Sequence, residues 1–420
     1  MKILVLCPHF APDVAPTGEV ITSITRELAA RSHRVHVVTA LPWYRHHRIE
    51  DGWDGRLVRT QTTDWGRITR VHPFPTDKTN IPARAMAFGG FTALTGLTAA
   101  ISRPRPDVVL AMSPPLTLGL AGWAAARLRR APFVFNIQDV FPDVAVELGV
   151  ITNAALIRVA SWLERFTYLR SDAVTVLSDD LRDNVAGKVG AHHPERVRVI
   201  PNFVDTEHIR PAPRENSYRE QYGLSGKTVV MYAGNVGFSQ SLDLILDAAA
   251  ALAHEPDLVF VINGGGSARA ELERRAGGAA NIRFIDMQPK DRLPEVLAAA
   301  DIHVVPLRRG LGRSSVPSKM YSILAAGRPI VASVDPGTEV ARVVEQAGAG
   351  LAVPPDDPEA FTKAVARLVA DRDDGERMGR AGRAFVERWA SPPAIAEKYE
   401  SLFEELRKRR PRFGNGPNSL

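Results

Sequence analysis

A lysine in the first turn of a helix is the residue of this chain with the most chemistry to explain. The segment from Arg313 to Ser333 reads RSSVPSKMYSILAAGRPIVAS. A polar loop ends at Pro317, and proline is favoured at the first position of a helix because the N–H it lacks would be unpaired there. Val316 has no side-chain oxygen to cap with, but Ser314, Ser315 and Ser318 surround the turn. The pattern predicts a short helix over Pro317–Ala326, stopped by Gly327 in the left-handed conformation, and then a buried strand, Ile330–Ala332. Lys319 then opposes the helix dipole, which favours anions at that end. An anion held by the free N–H groups and by Lys319 together removes the mismatch, and a phosphate or diphosphate has that chemistry. A simply solvated Lys319 is the other reading.

Further loops follow strands in the same half. AGNVGFSQS (Ala233–Ser241) holds Gly234 and Gly237, which permit close backbone approach to a ligand, with Asn235 and Gln240 beside them. NGGGS (Asn263–Ser267), centred on Gly265, reads as a phosphate nest or as an ordinary tight turn. PLRRGLGRSSVPSK (Pro306–Lys319) supplies Arg308, Arg309, Arg313 and Lys319, and DPGTEV (Asp335–Val340) brings Glu339 to a helix start. In the first half, CPHFAPDVAPTGEV (Cys7–Val20) carries His9, Thr17, Gly18 and Glu19 on a loop that opens a helix. NIQDVFPDVAVELG (Asn136–Gly149) carries Gln138, Asp139 and Asp143. Asp139 either acts on a substrate hydroxyl or caps the next turn. A G-x-G-x-x-G fingerprint after the first strand and a P-loop are both absent, which speaks against a nicotinamide enzyme and a P-loop nucleotidase. The acid pairs Asp179–Asp180, Asp356–Asp357 and Asp373–Asp374 fall where helix caps are expected. The histidines show no ligand spacing, so no metal site is expected.

The elements that must position these loops alternate. Ile3–Leu6, Val35–Thr39, Leu57–Thr60, Thr69–Phe74, Val108–Ala111, Phe133–Ile137, Ala173–Val176 and Val197–Ile200 read as strands, with helical spacing over Gly18–Ala30, Leu116–Arg129 and Leu156–Leu169. After the Pro-rich Ile200–Ser217, a second series runs through strands at Val229–Tyr232, Leu258–Ile262, Ile282–Ile285, Ile302–Val305, Ile330–Ala332 and Leu351–Val353, and closes on two helical segments. Strands alternating with helices predict α/β architecture, with parallel sheets covered on both faces. The expected organisation is 1–200 as one doubly wound Rossmann-like domain, 201–216 as linker and 217–390 as a second. Residues 391–420 are expected to form a helix and basic tail. Ligands bind such sheets at the carboxyl ends of the strands, so the linker could set two rims around an interdomain cleft.

Bulk properties agree. The 420 residues exceed what one core supports, and 45% hydrophobic and 24% charged residues are ordinary for a soluble protein. The single cysteine, Cys7, rules out an internal disulfide and suits a reducing compartment. MKILVLCPHF reads as a first buried strand and not a signal peptide. The formal charge of +6 gathers at Arg45–Arg48 and at Arg407–Arg412. No aromatic residues interleave with these as in a nucleic-acid module, so nucleic acid is not expected as a partner. Ala85–Ile101 is too rich in glycine and threonine for a span. It suits a helix lying on an anionic membrane, or one buried in the first domain.

Together QDVFPDVAVELGV, IPNFVD, YAGNVGFSQSLD and VPSKMYSILAAGRPIVAS resemble the family-4 retaining glycosyltransferases of the GT-B fold, over essentially the full length. The resemblance is greatest to the subgroup that adds N-acetylfucosamine or other amino sugars to lipid-linked O-antigen or capsule intermediates. It implies a nucleotide sugar, expected to be a UDP-sugar, on the second domain. It also implies a lipid-linked or other glycan acceptor on the first, and a final helix crossing back to the first domain. Donor contacts are expected at Gly234, Asn235, Gly237, Gln240, Gly265, Arg313, Ser318, Lys319, Ser322 and Glu339. The catalytic set expected is Lys319, Asp139 and Gln138, with His9, Thr17, Gly18 and Glu19 on the acceptor side. Turnover is expected without cofactor or metal, by same-face displacement, in the cytoplasm or on the inner face of the plasma membrane. The family's paired glutamates fall on Ser314 and Ser322, its diphosphate-clamping Arg and Lys on Asn235 and Gln240, and its acceptor-rim His on Gln138. Lys319, with Arg313, would replace the clamp. A nucleotide-sugar epimerase or hydrolase on the same fold, and a non-catalytic nucleotide-sugar-binding membrane protein, are the competing readings.

Overall fold

The computed structural model describes residues 1–13, 15–44, 48–76, 81–143, 146, 151–189, 194–237, 239–310 and 319–409. They form two compact units: Met1–Pro201 with the described residues from Ile395 on, and Asn202–Ala394.

The first unit is built on strands β1 (Lys2–Leu6), β2 (Arg34–Ala40), β3 (Val58–Thr63), β4 (Gly66–Val71), β5 (Val108–Ser113), β6 (Phe133–Ile137), β7 (Ala173–Val176) and β8 (Val197–Val199). Their order in the sheet is β3-β4-β2-β1-β5-β6-β7-β8. The pairs β1–β2, β1–β5, β5–β6, β6–β7, β7–β8 and β2–β4 are all parallel. Central strands of such a sheet are covered on both faces and read as continuous apolar runs. Leu4, Leu6, Val109, Ala111, Phe133 and Phe135 share a core with the helices Leu118–Arg129 and Ala154–Arg170. The alternate residues Ile3, Val5, Leu110 and Val134 are buried too, on the opposite face.

One edge departs from the expected parallel pattern. β3 and β4 form an antiparallel hairpin around Asp64 and Trp65, with Thr63 opposite Gly66. The two strands lie nearer the turn than the readings Leu57–Thr60 and Thr69–Phe74. β3 is an outer strand with no buried residue, so it lacks the apolar alternation that marks a half-buried strand. A Cβ on Gly66 would sit 2.0 Å from the Val35 carbonyl oxygen, so the hairpin packs on β2 only with glycine there.

The last helix, Pro392–Arg409, belongs to the first unit over its described length from Ile395. The buried Tyr399 hydroxyl accepts a hydrogen bond from Asn136 Nδ2 at 2.9 Å, and Glu400 accepts from Arg31 at 3.0 Å.

The second unit carries β9 (Thr228–Ala233), β10 (Leu258–Asn263), β11 (Ile282–Ile285), β12 (Ile302–Pro306), β13 (Ile330–Ser333) and β14 (Gly350–Val353), in the order β11-β10-β9-β12-β13-β14. All its pairs are parallel. The chain winds outward in both directions from β9 and β12, so the switch point of the sheet lies between them. The segment that opens this unit is packed into it. Val204 and Ile209 are buried, and the Arg383 guanidinium donates to the carbonyls of Thr206 and Ile209 at 2.9 and 2.7 Å.

The acid pairs cap less uniformly than expected. Asp357 does accept the Ala360 N–H, but the caps near the other two pairs are Ser178 and Asp371. Asp179, Asp180, Asp373 and Asp374 follow in first turns, where the dipole favours them. Among the described residues no helix is long and apolar enough to cross a membrane.

Candidate functional site

The switch point of the second sheet gathers the polar loops. Ligands of open α/β sheets bind there because the loops diverge and leave a crevice. Lys319 begins the described helix Lys319–Ala325, which ends at Gly327 with φ of +68°. Arg313, Ser318 and the turn at Pro317 lie outside the described residues. Lys319 Nζ donates to the Tyr232 hydroxyl at 2.7 Å and stands 4.1 Å from the centroid of that ring. Tyr232 in turn donates to the Asn235 carbonyl at 2.6 Å. The lysine of β12's loop is thereby anchored to the loop after β9, with Nζ 3.2 Å from where a Cβ on Gly234 would be.

Its electrostatic position is unusual. Among the described residues no carboxylate pairs with Lys319, and burial lowers its pKa to about 8. A buried cation is costly unless an opposite charge compensates it. The partners shown here are a neutral hydroxyl and an aromatic face, so the arrangement can accept an anion.

The glycines divide into two kinds. Gly264 and Gly266 lie against the neighbouring loop: a Cβ on Gly264 would be 1.9 Å from the Gly234 carbonyl oxygen, and one on Gly266 2.3 Å from that of Val236. The Gly234 and Val236 N–H groups donate to the Asn263 and Gly265 carbonyls, both at 2.9 Å. NGGGS therefore braces the Ala233–Gly237 loop, and of its glycines only Gly265 faces open space. The Gln240 side chain accepts the Gly237 N–H at 3.1 Å and so shapes its own loop. Asn235 packs on Gly266. Ser322 is half-buried one turn beyond Lys319. Glu339 is buried at the start of helix Glu339–Ala347, with Arg342 at 3.0 Å.

Three carboxylates whose contacts sequence reasoning did not read fix the arginine loop. Asp356 accepts the Arg309 N–H at 3.0 Å and the Ser241 hydroxyl, and Asp335 accepts the Gly310 N–H at 2.7 Å. The Arg308 guanidinium lies 3.6 Å from Asp243. These are contacts across long sequence separations, and no local motif signals them.

The carboxyl-end rim of the first sheet is described by itself. His9 Nδ1 lies 2.6 Å from Asp13, and its ring stacks on Trp43 and meets Tyr44 edge-on. The buried Asp13 also accepts the Tyr44 N–H at 3.1 Å. A Cβ on Gly18 would stand 2.9 Å from His9 Cβ, so glycine lets the helix start approach that histidine. The helix is Pro16–Ala30, two residues longer at its start than expected, with Thr17 and Glu19 in its first turn and no side-chain cap. Gln138 is buried and donates to Asn136 Oδ1 at 2.8 Å. Asp139 has no hydrogen-bond partner among the described residues, so it caps none of them; the residue is exposed overall, but protein partly desolvates its carboxyl and raises its pKa. Asp143 is taken up by Lys188 at 2.8 Å, which also binds the buried Glu164 at 2.7 Å.

Comparison with known proteins decides the class. Residues 17–202 match the model of the glycosyl transferase 4-like domain, and residues 227–371 that of glycosyl transferases group 1. The chain is a glycosyltransferase of the GT-B type. Over 379 residues this glycosyltransferase is 29% identical to WcaI of Escherichia coli K12, assigned to colanic acid biosynthesis as a glycosyl transferase, spanning 87% of this chain and 91% of that one. WbjE of Pseudomonas aeruginosa, a glycosyltransferase by name, is 29% identical over 306 residues, 72% of this chain and 75% of its own. Among solved structures, Anabaena HepE in complex with UDP-glucose superposes with a TM-score of 0.64 at 16% identity, covering 96% of this chain and 100% of that one. That last likeness concerns the fold.

Proposed function

We propose that this glycosyltransferase moves an N-acetylhexosamine-type sugar, with retention, from a UDP-sugar to a lipid-linked glycan acceptor in cell-surface polysaccharide or glycolipid synthesis. The observation that carries the reading is Lys319: a desolvated cation with no carboxylate partner among the described residues, anchored at the switch point of the unit matched to the group 1 domain. The named roles of WcaI and the UDP-glucose bound by HepE support the polysaccharide and nucleotide parts. The amino sugar rests on the motif resemblance.

The bond from the anomeric carbon to the diphosphate oxygen breaks, and its electron pair leaves with the diphosphate. The acceptor oxygen bonds to the same face of the carbon, and its proton passes to the departing phosphate oxygen. Stabilising that charge is the main task of such a site. Lys319 supplies it, and the Gly234–Gly237 and Gly265 backbone admits the diphosphate closely. In this reading Glu339 and Ser322 bind the ribose or sugar hydroxyls, while Gln138 and Asp139, with the His9–Glu19 loop, orient the acceptor. A panel of UDP- and GDP-sugars should show a specific rise in melting temperature with one UDP-sugar, because a ligand of the native state stabilises by mass action. UDP should then be released only when a lipid-linked acceptor is present. Acceptor-independent release would favour a hydrolase or epimerase. Turnover should persist in EDTA, and full loss restored by Mg²⁺ or Mn²⁺ would count against a lysine-based site.

A further inference from the structure

The amino-terminal rim of the first sheet, opposite the rim that carries His9 and Gln138, contains a cavity of about 450 Å³. It opens where β1, β2 and β4 begin, and Lys2, Arg34, Arg67 and Arg103 line it. Asp64 is the carboxylate of the lining. Among the described residues none of the four cations is in an ion pair, although the molecule has many such pairs elsewhere. We propose that this cavity binds a phosphate ester, a small phosphorylated metabolite, through the guanidinium groups of Arg34, Arg67 and Arg103.

Two helices, Pro16–Ala30 and Ile81–Ile101, end at this rim, and neither has a basic residue in its last turn. Their carbonyl ends attract cations, which accounts for positive charge nearby but not for its arrangement around a hollow. Arginine forks match phosphate oxygens in pairs, and a cavity of this size takes a sugar phosphate or nucleotide. The interior offers further recognition. Trp65 and His36 line it, and the buried Thr63 hydroxyl has no partner among the described residues. The ring of His36 accepts or donates one bond, with Thr69 at 2.9 Å. Burial first, and the nearby Arg67 charge second, hold its pKa down to about 4.

Calorimetry on the full chain with glucose 1-phosphate as probe tests this, using Lys319→Ala to remove the cation proposed for donor phosphate. Binding should survive Lys319→Ala and weaken at least tenfold in Arg34→Ala/Arg67→Ala, whose melting temperature should stay near wild type because both side chains are exposed. On binding, the His36 ring should titrate at higher pH. Glucuronate, of similar size but with a carboxylate, should bind more weakly. The proposal fails if no binding is seen at millimolar probe. It also fails if binding disappears in Lys319→Ala but not in the arginine variant, or if distant exposed arginines such as Arg377 and Arg380 matter equally. Equal or tighter glucuronate binding would overturn the assignment to phosphate.

Discussion

The proposed chemistry rests on one side chain, Lys319. Its ammonium is desolvated, and the hydroxyl that holds it is neutral. Removing one group that stabilises charge only in the transition state costs on the order of 10²–10³ in rate. Lys319→Ala should therefore lose that much turnover at saturating donor. Its melting temperature should change little, since the lost hydrogen bond to Tyr232 and the relieved burial of a cation oppose each other. Near-full turnover in this variant would move the anion site elsewhere, with Arg308, Arg309 and Arg313 next to be tested. The depressed pKa adds a second expectation. In the free enzyme the lysine loses its proton above about pH 8, so kcat/KM for the donor should fall through that value. A bound diphosphate favours the charged form, so the corresponding fall in kcat should appear at higher pH. The stability effect has the opposite sign. The unfolded chain holds that proton up to its ordinary pKa of 10.5, so stability from this group rises between about pH 8 and 10.5. A kcat/KM profile flat to pH 9.5 would show that Lys319 is not the cation used.

At the scale of elements, the loops after β9 and β10 act as one piece. Backbone touches backbone, with Gly264 at φ of +159° and Gly234 at +144°. Gly264→Ala should cost about 1–3 kcal/mol as an overpacked substitution, or several degrees in a thermal melt. Gly265→Ala, which meets nothing within 4 Å, should leave the melt unchanged and weaken nucleotide binding through the lost close approach. Equal melts for the two variants would contradict the bracing. The comparison also shows what the sequence makes legible. Gly327 could be read as a helix stop because capping is local, and the central strands because burial on both faces imposes continuous apolar runs. NGGGS presents three glycines, and nothing in the string says which one faces a ligand, because that depends on a strand some thirty positions earlier. Tyr232, 87 positions before Lys319, is hidden for the same reason. It reads as one more apolar residue of β9, yet its hydroxyl aims the lysine. The strands of the β3–β4 hairpin were read with shifted bounds and their antiparallel pairing was not, because an edge strand with no buried residue gives the apolar pattern little to fix its ends.

At the scale of the whole molecule, the remaining question is where the enzyme works. The three helices Ile81–Ile101, Leu118–Arg129 and Ala154–Arg170 cover one face of the first sheet. They pack side by side: Thr92 donates to Thr117 at 2.7 Å, and Trp123 meets Phe166 edge-on. The expectation for Ala85–Ile101 thus resolves into a divided helix. Phe91, Thr95 and Ala99 face the core, while Met86, Leu97 and Ile101 are exposed. Two features of the neighbouring helices were missed in the sequence because each looks ordinary alone. Leu128, Leu156, Val159 and Trp162 are exposed as well, with Trp162 at 63%. Across all three helices the one carboxylate is Glu164, which is buried, whereas Arg127, Arg158, Arg165 and Arg170 reach solvent. Exposed apolar side chains, an exposed tryptophan and cations with no ion-pair partner among the described residues match the composition expected of a face resting on an anionic bilayer.

We therefore expect the full chain to co-sediment with vesicles containing anionic phospholipid and only weakly with neutral ones. Each basic residue close to such a surface contributes about 1 kcal/mol, so Arg158→Ala/Arg165→Ala should weaken binding by about 2 kcal/mol, roughly thirtyfold. Trp162→Ala should reduce binding to both kinds of vesicle, because burial of apolar area does not depend on lipid charge. Both substitutions are on exposed positions and should leave soluble-donor binding intact, which separates membrane attachment from the chemistry at Lys319. The measurement is the bound fraction against lipid concentration, at low and physiological salt. Screening should weaken the anionic part as the Debye length falls toward about 8 Å. Equal binding to neutral and anionic vesicles would remove the electrostatic argument. Loss of binding only when the basic tail beyond Arg407 is removed would transfer the contact from this face to the end of the last helix.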